Sequence, residues 1–138
     1  MSTTATLHPA VLAQREAISR AADFLRSKGI GKPSVAIILG SGLGPLADEV
    51  EQAISIPYGE IPGFPESTAP GHAGRLVAGR LGDQDVLMMQ GRFHTYEGYS
   101  QAEVSFPVRT FAALGVRDLI VTCATGGLNR GFSAGDIM

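Results

Sequence analysis

Two short apolar runs of the sequence are each followed by a glycine-rich turn, and this repeated pattern restricts the fold more than any other feature. VAIIL at 35–39 leads into GSGLG at 40–44, and DLIVTCA at 118–124 leads into TGGLN at 125–129. Short apolar runs bounded by turns are typical of strands that are buried on both faces. Helical and strand patterns alternate along the chain, which predicts an α/β sandwich. Ligands of such folds collect outside the carboxyl ends of the strands, where both glycine turns lie.

Two helices are predicted, one before the strands and one between them. Apolar residues at helical spacing place the first helix at 9–28. The second begins at Ser100, which has capping-box spacing to Glu103, and stops at Gly115. Pro107 in its middle is expected to kink this helix or to shift its start. The remaining predictions are a short helix over 45–50, strands at 54–58, 75–81 and 85–90, and a long irregular loop at 61–74.

The composition argues against several classes of function. The formal net charge of the 138 residues is −2, which disfavours nucleic-acid binding through bulk positive charge. No run approaches the roughly 18 apolar residues of a membrane span, and the N-terminus lacks the apolar core of a signal peptide. A single cysteine, Cys123, gives no disulfide framework and suits a reducing compartment. We therefore expect a cytoplasmic protein that binds neither nucleic acid nor membrane.

The first glycine turn has the chemistry of an anion site. Gly40, Gly42 and Gly44 allow backbone N–H groups to approach an anion, and Ser41 adds a hydroxyl donor. A helix N-terminus after the turn would add partial positive charge. The spacing matches neither the dinucleotide fingerprint G-x-G-x-x-G nor the nucleotide P-loop, so phosphate is favoured over a nucleoside triphosphate. The alternative is a tight strand-to-helix turn that needs glycine only for its dihedral angles.

The segment QGRFHTYEGY at 90–99 supplies three polar side chains at alternate positions, Arg92, His94 and Tyr96. In an extended segment all three project to one face. Arginine offers a planar fork for bidentate phosphate contact, and histidine donates to an anion or moves a proton near neutral pH. The tyrosine ring and hydroxyl suit a sugar. The alternative is the solvated polar face of an edge strand.

Three further features carry less weight alone. His72 is a lone loop histidine, a type that is more often structural than catalytic. Gly126 and Gly127 follow the last strand. One interpretation is that their turn presents backbone N–H groups to the same anion, and the alternative is a turn with no role in binding. Cys123 is interpreted as a small buried residue, because nothing cationic lies beside it in sequence to activate a thiolate. The histidines at 72 and 94 form no metal motif, and no metal is predicted.

Several segments together resemble the trimeric class of purine nucleoside phosphorylases. They are ILGSGLG (38–44), PGHAGRLV (70–77), MMQGRFHTYEGY (88–99), FPVRTFAALGV (106–116), IVTCATGGLN (120–129) and GDIM (135–138). The resemblance implies a three-layer α/β/α sandwich around a mixed β-sheet, truncated at the C-terminus. It makes residues 1–138 the N-terminal portion of a single nucleoside phosphorylase domain. Within that portion, 1–30 is the leading helix and 35–138 the phosphate- and sugar-binding half.

The resemblance also implies an activity. This is phosphorolysis of purine (deoxy)ribonucleosides to the purine base and (deoxy)ribose 1-phosphate. Inorganic phosphate is the co-substrate, no metal or organic cofactor takes part, and the complete protein is a homotrimer. The implied phosphate ligands are Ser41, Arg92, His94 and the backbone N–H of Ala124, with Tyr96 on the sugar and with His94 and His72 as catalytic groups.

Two departures from the family pattern qualify this reading. Cys123 and Thr125 stand in CATGG, where the family usually has Asn and Ala, and either change alters hydrogen bonding near the base and sugar. The residues that grip the purine in the family lie beyond Met138, so this length of chain is expected to show little or no phosphorolysis. The alternatives are a non-catalytic phosphate-binding or interaction remnant, a methylthioadenosine phosphorylase-like enzyme, and a dinucleotide-binding domain. The glycine spacing argues against the dinucleotide-binding domain.

Overall fold

The computed structural model describes residues 8–66 and 73–138. Their centre is one five-stranded sheet. In chain order the elements are α1 (Pro9–Ser27), β1 (Val35–Leu39), β2 (Glu51–Pro57), β3 (Arg75–Leu81), β4 (Gln84–Gln90), α2 (Gln101–Leu114) and β5 (Asp118–Val121). Short 3₁₀ helices occupy Gly44–Glu49, Tyr58–Glu60 and Thr95–Glu97. None of the helices in the described ranges is long and apolar enough to cross a membrane.

The sheet is mixed, with strand order β2-β3-β4-β1-β5. β2, β3 and β4 form an antiparallel meander, whereas β1 runs parallel to both of its neighbours, β4 and β5. The carboxyl ends of β4, β1 and β5 therefore lie at one edge of the sheet, with β1 in the middle. Whatever follows these three strands in sequence is brought together at that edge.

Both faces of the central strands are buried. Side chains alternate along a strand, so Ala36 and Ile38 of β1 face the helices, and Ile37 and Leu39 face the other way. On the first face, α1 contributes Ala21, Ala22 and Leu25, and α2 contributes Phe106, Phe111 and Leu114. On the second face, Ala47 and Val50 of the segment after β1 cover Val77, Val86 and Met88. Burial on both faces explains why VAIIL is a continuous apolar run.

The predicted fold class is confirmed, and the differences lie at the ends of elements. The last strand ends at Val121 rather than at 124, and β2 begins at Glu51 rather than at 54. The earlier start of β2 includes an irregularity between Glu51 and Ile54, where Gln52 takes a φ of +52°. Pro107 lies inside α2, which keeps the predicted start after Ser100 and runs through the proline, and Pro107 is buried in the core.

β5 and the residues after it are the most exposed part of the sheet region. Leu119, Ile120 and Val121 are 41%, 49% and 59% exposed. Within the described ranges β5 pairs with β1 alone, so its outer edge is an edge of the sheet. No helix or strand follows β5 in residues 122–138.

Candidate functional site

The glycine turn after β1 has a geometry that requires glycine at one position for its dihedral angles. The N–H of Leu43 donates to the carbonyl of Gly40 at 3.2 Å, and Gly42 between them has a φ of +85°. This is the third position of a type II turn, which strongly favours glycine. Ser41 lies exposed at the tip. The helix after the turn is a 3₁₀ helix of six residues, so it adds less dipole than the predicted α-helix.

Gly40 is needed for a different reason, the close approach of two backbones. A Cβ on Gly40 would lie 2.5 Å from the carbonyl oxygen of Thr122. The N–H of Gly40 donates to the Thr122 hydroxyl at 2.8 Å, so this donor is engaged within the protein. The prediction that glycine N–H groups face an anion therefore does not hold for the N–H of Gly40, and it stays a prediction for Gly42 and Gly44.

The end of the turn is fastened to β3 and β4 by a polar network. The guanidinium of Arg75 donates through Nη2 to Asp48 at 3.0 Å and through Nε to the side-chain oxygen of Gln90. Nε2 of Gln90 then donates to the carbonyl of Gly44 at 2.9 Å. The network holds the glycine turn against the end of β4, immediately before the segment that contains Arg92.

Arg92 extends from the end of β4 toward the end of β5. Gly91 takes a φ of +105° and ends the strand, after which the Arg92 side chain lies partly buried. Its Nη1 donates to the carbonyl of Thr122 at 3.0 Å, and its Nε donates to Nε2 of His94 at 3.1 Å. Since β1 lies between β4 and β5, the guanidinium spans the edge at which the glycine turn emerges.

Glu97 orients His94 and was not identified from the sequence. One carboxylate oxygen of Glu97 accepts the His94 backbone N–H at 2.8 Å and lies 3.1 Å from Nδ1 of the ring. Because Nε2 accepts from Arg92, a neutral His94 carries its proton on Nδ1 and donates it to this carboxylate. The Glu97 side chain is only 4% exposed. The three-residue spacing of His94 and Glu97, a capping-box spacing, was the available signal.

The prediction that Arg92, His94 and Tyr96 share one face of an extended segment is wrong in its geometry. The strand ends at Gln90, and Tyr96 lies in the 3₁₀ helix Thr95–Glu97. The three side chains are nevertheless close, because the Tyr96 ring stacks on His94 with centroids 4.5 Å apart and planes at 17°. Tyr96 is 77% exposed, so most of its ring remains available for contact.

The second glycine turn emerges beside the first. Ala124, Gly126 and Gly127 follow β5, the neighbour of β1, and all are exposed. Cys123 is also exposed, which corrects the prediction of a small buried residue. The physical reason is that β5 is an edge strand that ends at Val121, so Cys123 has left the sheet.

The remaining predicted residue, His72, lies outside the described ranges. Among residues 8–66 and 73–138, no group of three or more His, Cys, Asp or Glu side chains is arranged to hold a metal ion. A cleft of about 320 Å³ lies at the opposite end of the strands, lined in part by Lys32, Gln52, Arg80 and Asp85. It shares no residue with the candidate site.

The carboxyl edge of β4, β1 and β5 therefore carries a hydroxyl, a guanidinium and an imidazole whose tautomer is set by its neighbours. The Ser41 hydroxyl and the Arg92 guanidinium donate to oxygen, and a guanidinium can match two oxygens of a tetrahedral anion at once. Nε2 of His94 becomes a donor only when the ring is protonated. The arrangement suits an oxyanion such as phosphate, and the exposed Tyr96 ring beside it suits a neighbouring apolar or sugar surface.

Comparisons with known proteins agree on one family. The family model described as "Phosphorylase superfamily" matches residues 34–138. Purine nucleoside phosphorylase 1 of Geobacillus stearothermophilus is 60% identical over 124 residues, which are 90% of this chain and 45% of that protein. The Rattus norvegicus purine nucleoside phosphorylase is 55% identical over 123 residues, covering 89% of this chain and 43% of that protein.

A solved structure gives the same result for the fold. Isoform 2 of the purine nucleoside phosphorylase from Schistosoma mansoni, in complex with cytosine and ribose-1-phosphate, superposes with a TM-score of 0.82 at 46% identity. The match covers 88% of this chain and 42% of the Schistosoma chain. The chain thus spans less than half the length of the relatives that it matches.

Proposed function

The chain belongs to the phosphorylase superfamily, and from that premise we propose that it is the phosphate-binding portion of a purine nucleoside phosphorylase. The single observation that carries the proposal is the contact of Arg92 with both His94 and the end of β5, beside the glycine turn. The identity to purine nucleoside phosphorylases supports the purine class of substrate. In this proposal, residues 1–138 are part of one domain, with 1–30 as leading helix and 35–138 as the phosphate and sugar half.

The proposed reaction is phosphorolysis of a purine (deoxy)ribonucleoside. A phosphate oxygen forms a bond to the anomeric carbon as the bond from that carbon to the purine nitrogen breaks. The purine departs with the electron pair of that bond, and in the net reaction it gains the proton that the attacking hydrogen phosphate loses, so that the dianion of (deoxy)ribose 1-phosphate remains. The sugar passes through a state with cationic character, which the adjacent phosphate dianion stabilises, and positioning supplies much of the remaining rate.

Each residue has a proposed role in holding the phosphate. Arg92 supplies paired donors, and the Ser41 hydroxyl and the Ala124 backbone N–H donate from the turns on either side. When phosphate binds, Nε2 of His94 exchanges the Arg92 Nε–H, from which it accepts in the structure, for a phosphate oxygen. This role requires the protonated ring, in which Nε2 donates to phosphate and Nδ1 donates to Glu97. Tyr96 is proposed to lie on the sugar and His72 to act near the phosphate.

Further parts of the proposal concern the complete protein. The purine contacts are assigned to the portion of the relatives that this chain does not span. We propose that the complete protein is a cytoplasmic homotrimer. Its reaction is proposed to use no metal and no organic cofactor. The names of the relatives favour this class over a methylthioadenosine phosphorylase.

The proposal is tested by phosphate binding and turnover with the purified chain. Titration with inorganic phosphate, followed by NMR, is expected to show saturable binding. Arg92→Ala is expected to weaken it about tenfold or more, because two charge-assisted donors are lost. Arg109→Ala is the matched control, since Arg109 lies on α2 and its guanidinium is 3.5 Å from Gln14.

Turnover separates the enzyme from the binding remnant. Release of hypoxanthine from inosine that depends on phosphate would show that the chain alone is an enzyme. Phosphate binding without release would favour the phosphate-binding remnant. Equal phosphate affinity in the wild-type chain and Arg92→Ala, or no binding by either, would contradict the assignment of the site.

A further inference from the structure

Thr122 follows β5 and links its end to the ends of β1 and β4, although its sequence position gives no sign of this. It follows β5 directly and is partly buried. Its backbone N–H and its hydroxyl both donate to the carbonyl of Ile38 on β1, each at 3.1 Å. Its hydroxyl oxygen accepts the N–H of Gly40 at 2.8 Å. Its carbonyl accepts Nη1 of Arg92 at 3.0 Å.

These hydrogen bonds use the Thr122 hydroxyl as both a donor and an acceptor, which fixes its orientation. The single O–H proton is directed to Ile38, which leaves a lone pair for Gly40. The contact is also sterically tight, because a Cβ on Gly40 would lie 2.9 Å from the carbonyl carbon of Thr122 and 3.0 Å from Cα of Cys123. The start of the glycine turn is therefore fixed against the 122–123 peptide in one position.

The same peptide fixes Arg92. One hydrogen-bonding group of Thr122 holds the turn that carries Ser41, and another holds the guanidinium. A displacement of Thr122 would thus change the distance between the Ser41 turn and the arginine fork, even though neither side chain is itself altered. Small errors of this kind reduce binding strongly when several donors must converge on one ligand.

We propose that Thr122 is a positioning residue of the phosphate site, which sets the glycine turn and Arg92 at the separation that one phosphate requires. This inference rests on the proposed function. It assigns no contact between Thr122 and the ligand. Thr122 affects phosphate binding indirectly, through its hydrogen bonds to the Gly40 N–H and the Arg92 guanidinium.

The test compares Thr122→Val, which removes the hydroxyl and keeps the shape, with Thr122→Ser, which keeps the hydroxyl. The probe is inorganic phosphate, titrated into the 138-residue chain and followed by NMR. Thr122→Val is expected to raise the dissociation constant about tenfold, and Thr122→Ser is expected to stay near the wild-type value. Hydrogen exchange of the Gly40 amide should accelerate in the valine variant and remain protected in the serine variant.

Ser34→Ala is the matched control, because Ser34 also joins β1 to its neighbours, but at the opposite end of the strand. Its hydroxyl donates to Gln84, and its carbonyl accepts from Arg117 and Asp118. Removing this hydroxyl is expected to leave phosphate affinity unchanged.

The possible outcomes are distinguishable. Wild-type affinity in a folded Thr122→Val variant would overturn the inference and leave the proposed function standing. A lowered thermal midpoint with normal phosphate affinity below that midpoint would likewise overturn it, since the role would then be purely structural. No phosphate binding by the wild-type chain would overturn the proposed function and this inference with it.

Discussion

Gly40 and Gly42 belong to the same glycine turn after β1, but the structure requires glycine at the two positions for different reasons. Gly42 has open space around its missing Cβ and a φ of +85°, so its role lies in the backbone conformation. Gly40 has no positive φ, and its missing Cβ would overlap the carbonyl of Thr122. Two residues of the same type therefore resist substitution for unrelated reasons.

Alanine substitutions separate the two reasons. Gly42→Ala is expected to lower the free energy of unfolding by about 1 kcal/mol, the cost of a left-handed backbone with a Cβ. Gly40→Ala is expected to cost about 2–3 kcal/mol, because the overlap is with backbone and no side chain can rotate away. Urea denaturation of the two variants gives both values. A larger loss at Gly42 than at Gly40 would contradict this assignment.

Glu97 and Thr122 show what sequence reasoning could and could not predict at the residue scale. Arg92 and His94 were identified because their chemistry is visible in their residue types. Glu97 acts on His94 across three residues, so the capping-box spacing is a local pattern that indicates this contact. Thr122 acts on Gly40 across 82 residues, and only the sheet register brings the two together. No local pattern in the sequence contains that information.

At the scale of elements, hydrophobic periodicity predicts the structure well where an element is bounded by clear turn or cap residues. The strands at 35–39 and 75–81 have the predicted bounds. The helix predicted from Ser100 is α2, and its capping box is present with both reciprocal hydrogen bonds. Prediction fails where partners decide the boundary, as at the end of β5, where pairing with β1 stops at Val121.

The capping box of α2 makes part of the stability dependent on pH. The Glu103 carboxylate accepts from the Ser100 hydroxyl at 2.7 Å and from its N–H at 2.8 Å. These two hydrogen bonds hold the pKa of Glu103 below its usual value, and the bond from the hydroxyl has the larger effect. A pKa that is lower in the folded than in the unfolded chain stabilises the fold above the unfolded pKa. That contribution is lost as the pH falls through the folded pKa.

Glu103→Gln tests this contribution. The variant keeps a side chain that can reach the Ser100 N–H but removes the ionised form. It should be less stable than the wild-type chain at neutral pH, and the difference should shrink as the pH falls into the range where Glu103 is protonated. Thermal unfolding midpoints of both proteins, measured from neutral to acidic pH, provide the check. A difference that stays constant over this range would show that the ionised carboxylate is not the stabilising form.

At the scale of the whole molecule, the sheet has one edge whose surface is unusually apolar. β5 exposes Leu119 and Val121 on one face and Ile120 on the other, and its outer hydrogen-bonding edge has no partner strand in the described ranges. Exposed apolar edge strands are templates for association with other chains. We therefore expect the 138-residue chain to self-associate as its concentration rises.

Ile120→Lys is expected to reduce that association, because lysine on an edge strand opposes strand pairing. Light scattering over a concentration series would show a smaller mean mass for the variant than for the wild-type chain. Val11→Lys is the control, since Val11 is 41% exposed on α1, away from the sheet edge. A wild-type chain that stays monomeric throughout, or equal effects of the two substitutions, would contradict a role for β5.

The pairing of β5 with β1 also has a consequence for the order of events during synthesis. The segment with Ser41 leaves the ribosome early, and Arg92 and His94 follow, but Thr122 emerges 82 residues after Gly40. Until then the glycine turn lacks the hydroxyl that accepts its first N–H, and Arg92 lacks the carbonyl to which it donates. A nascent chain shorter than 122 residues thus contains the side chains proposed to hold phosphate but lacks the contacts that bring them together. The chain length at which phosphate binding first appears would therefore show when β5 pairs with β1 during translation.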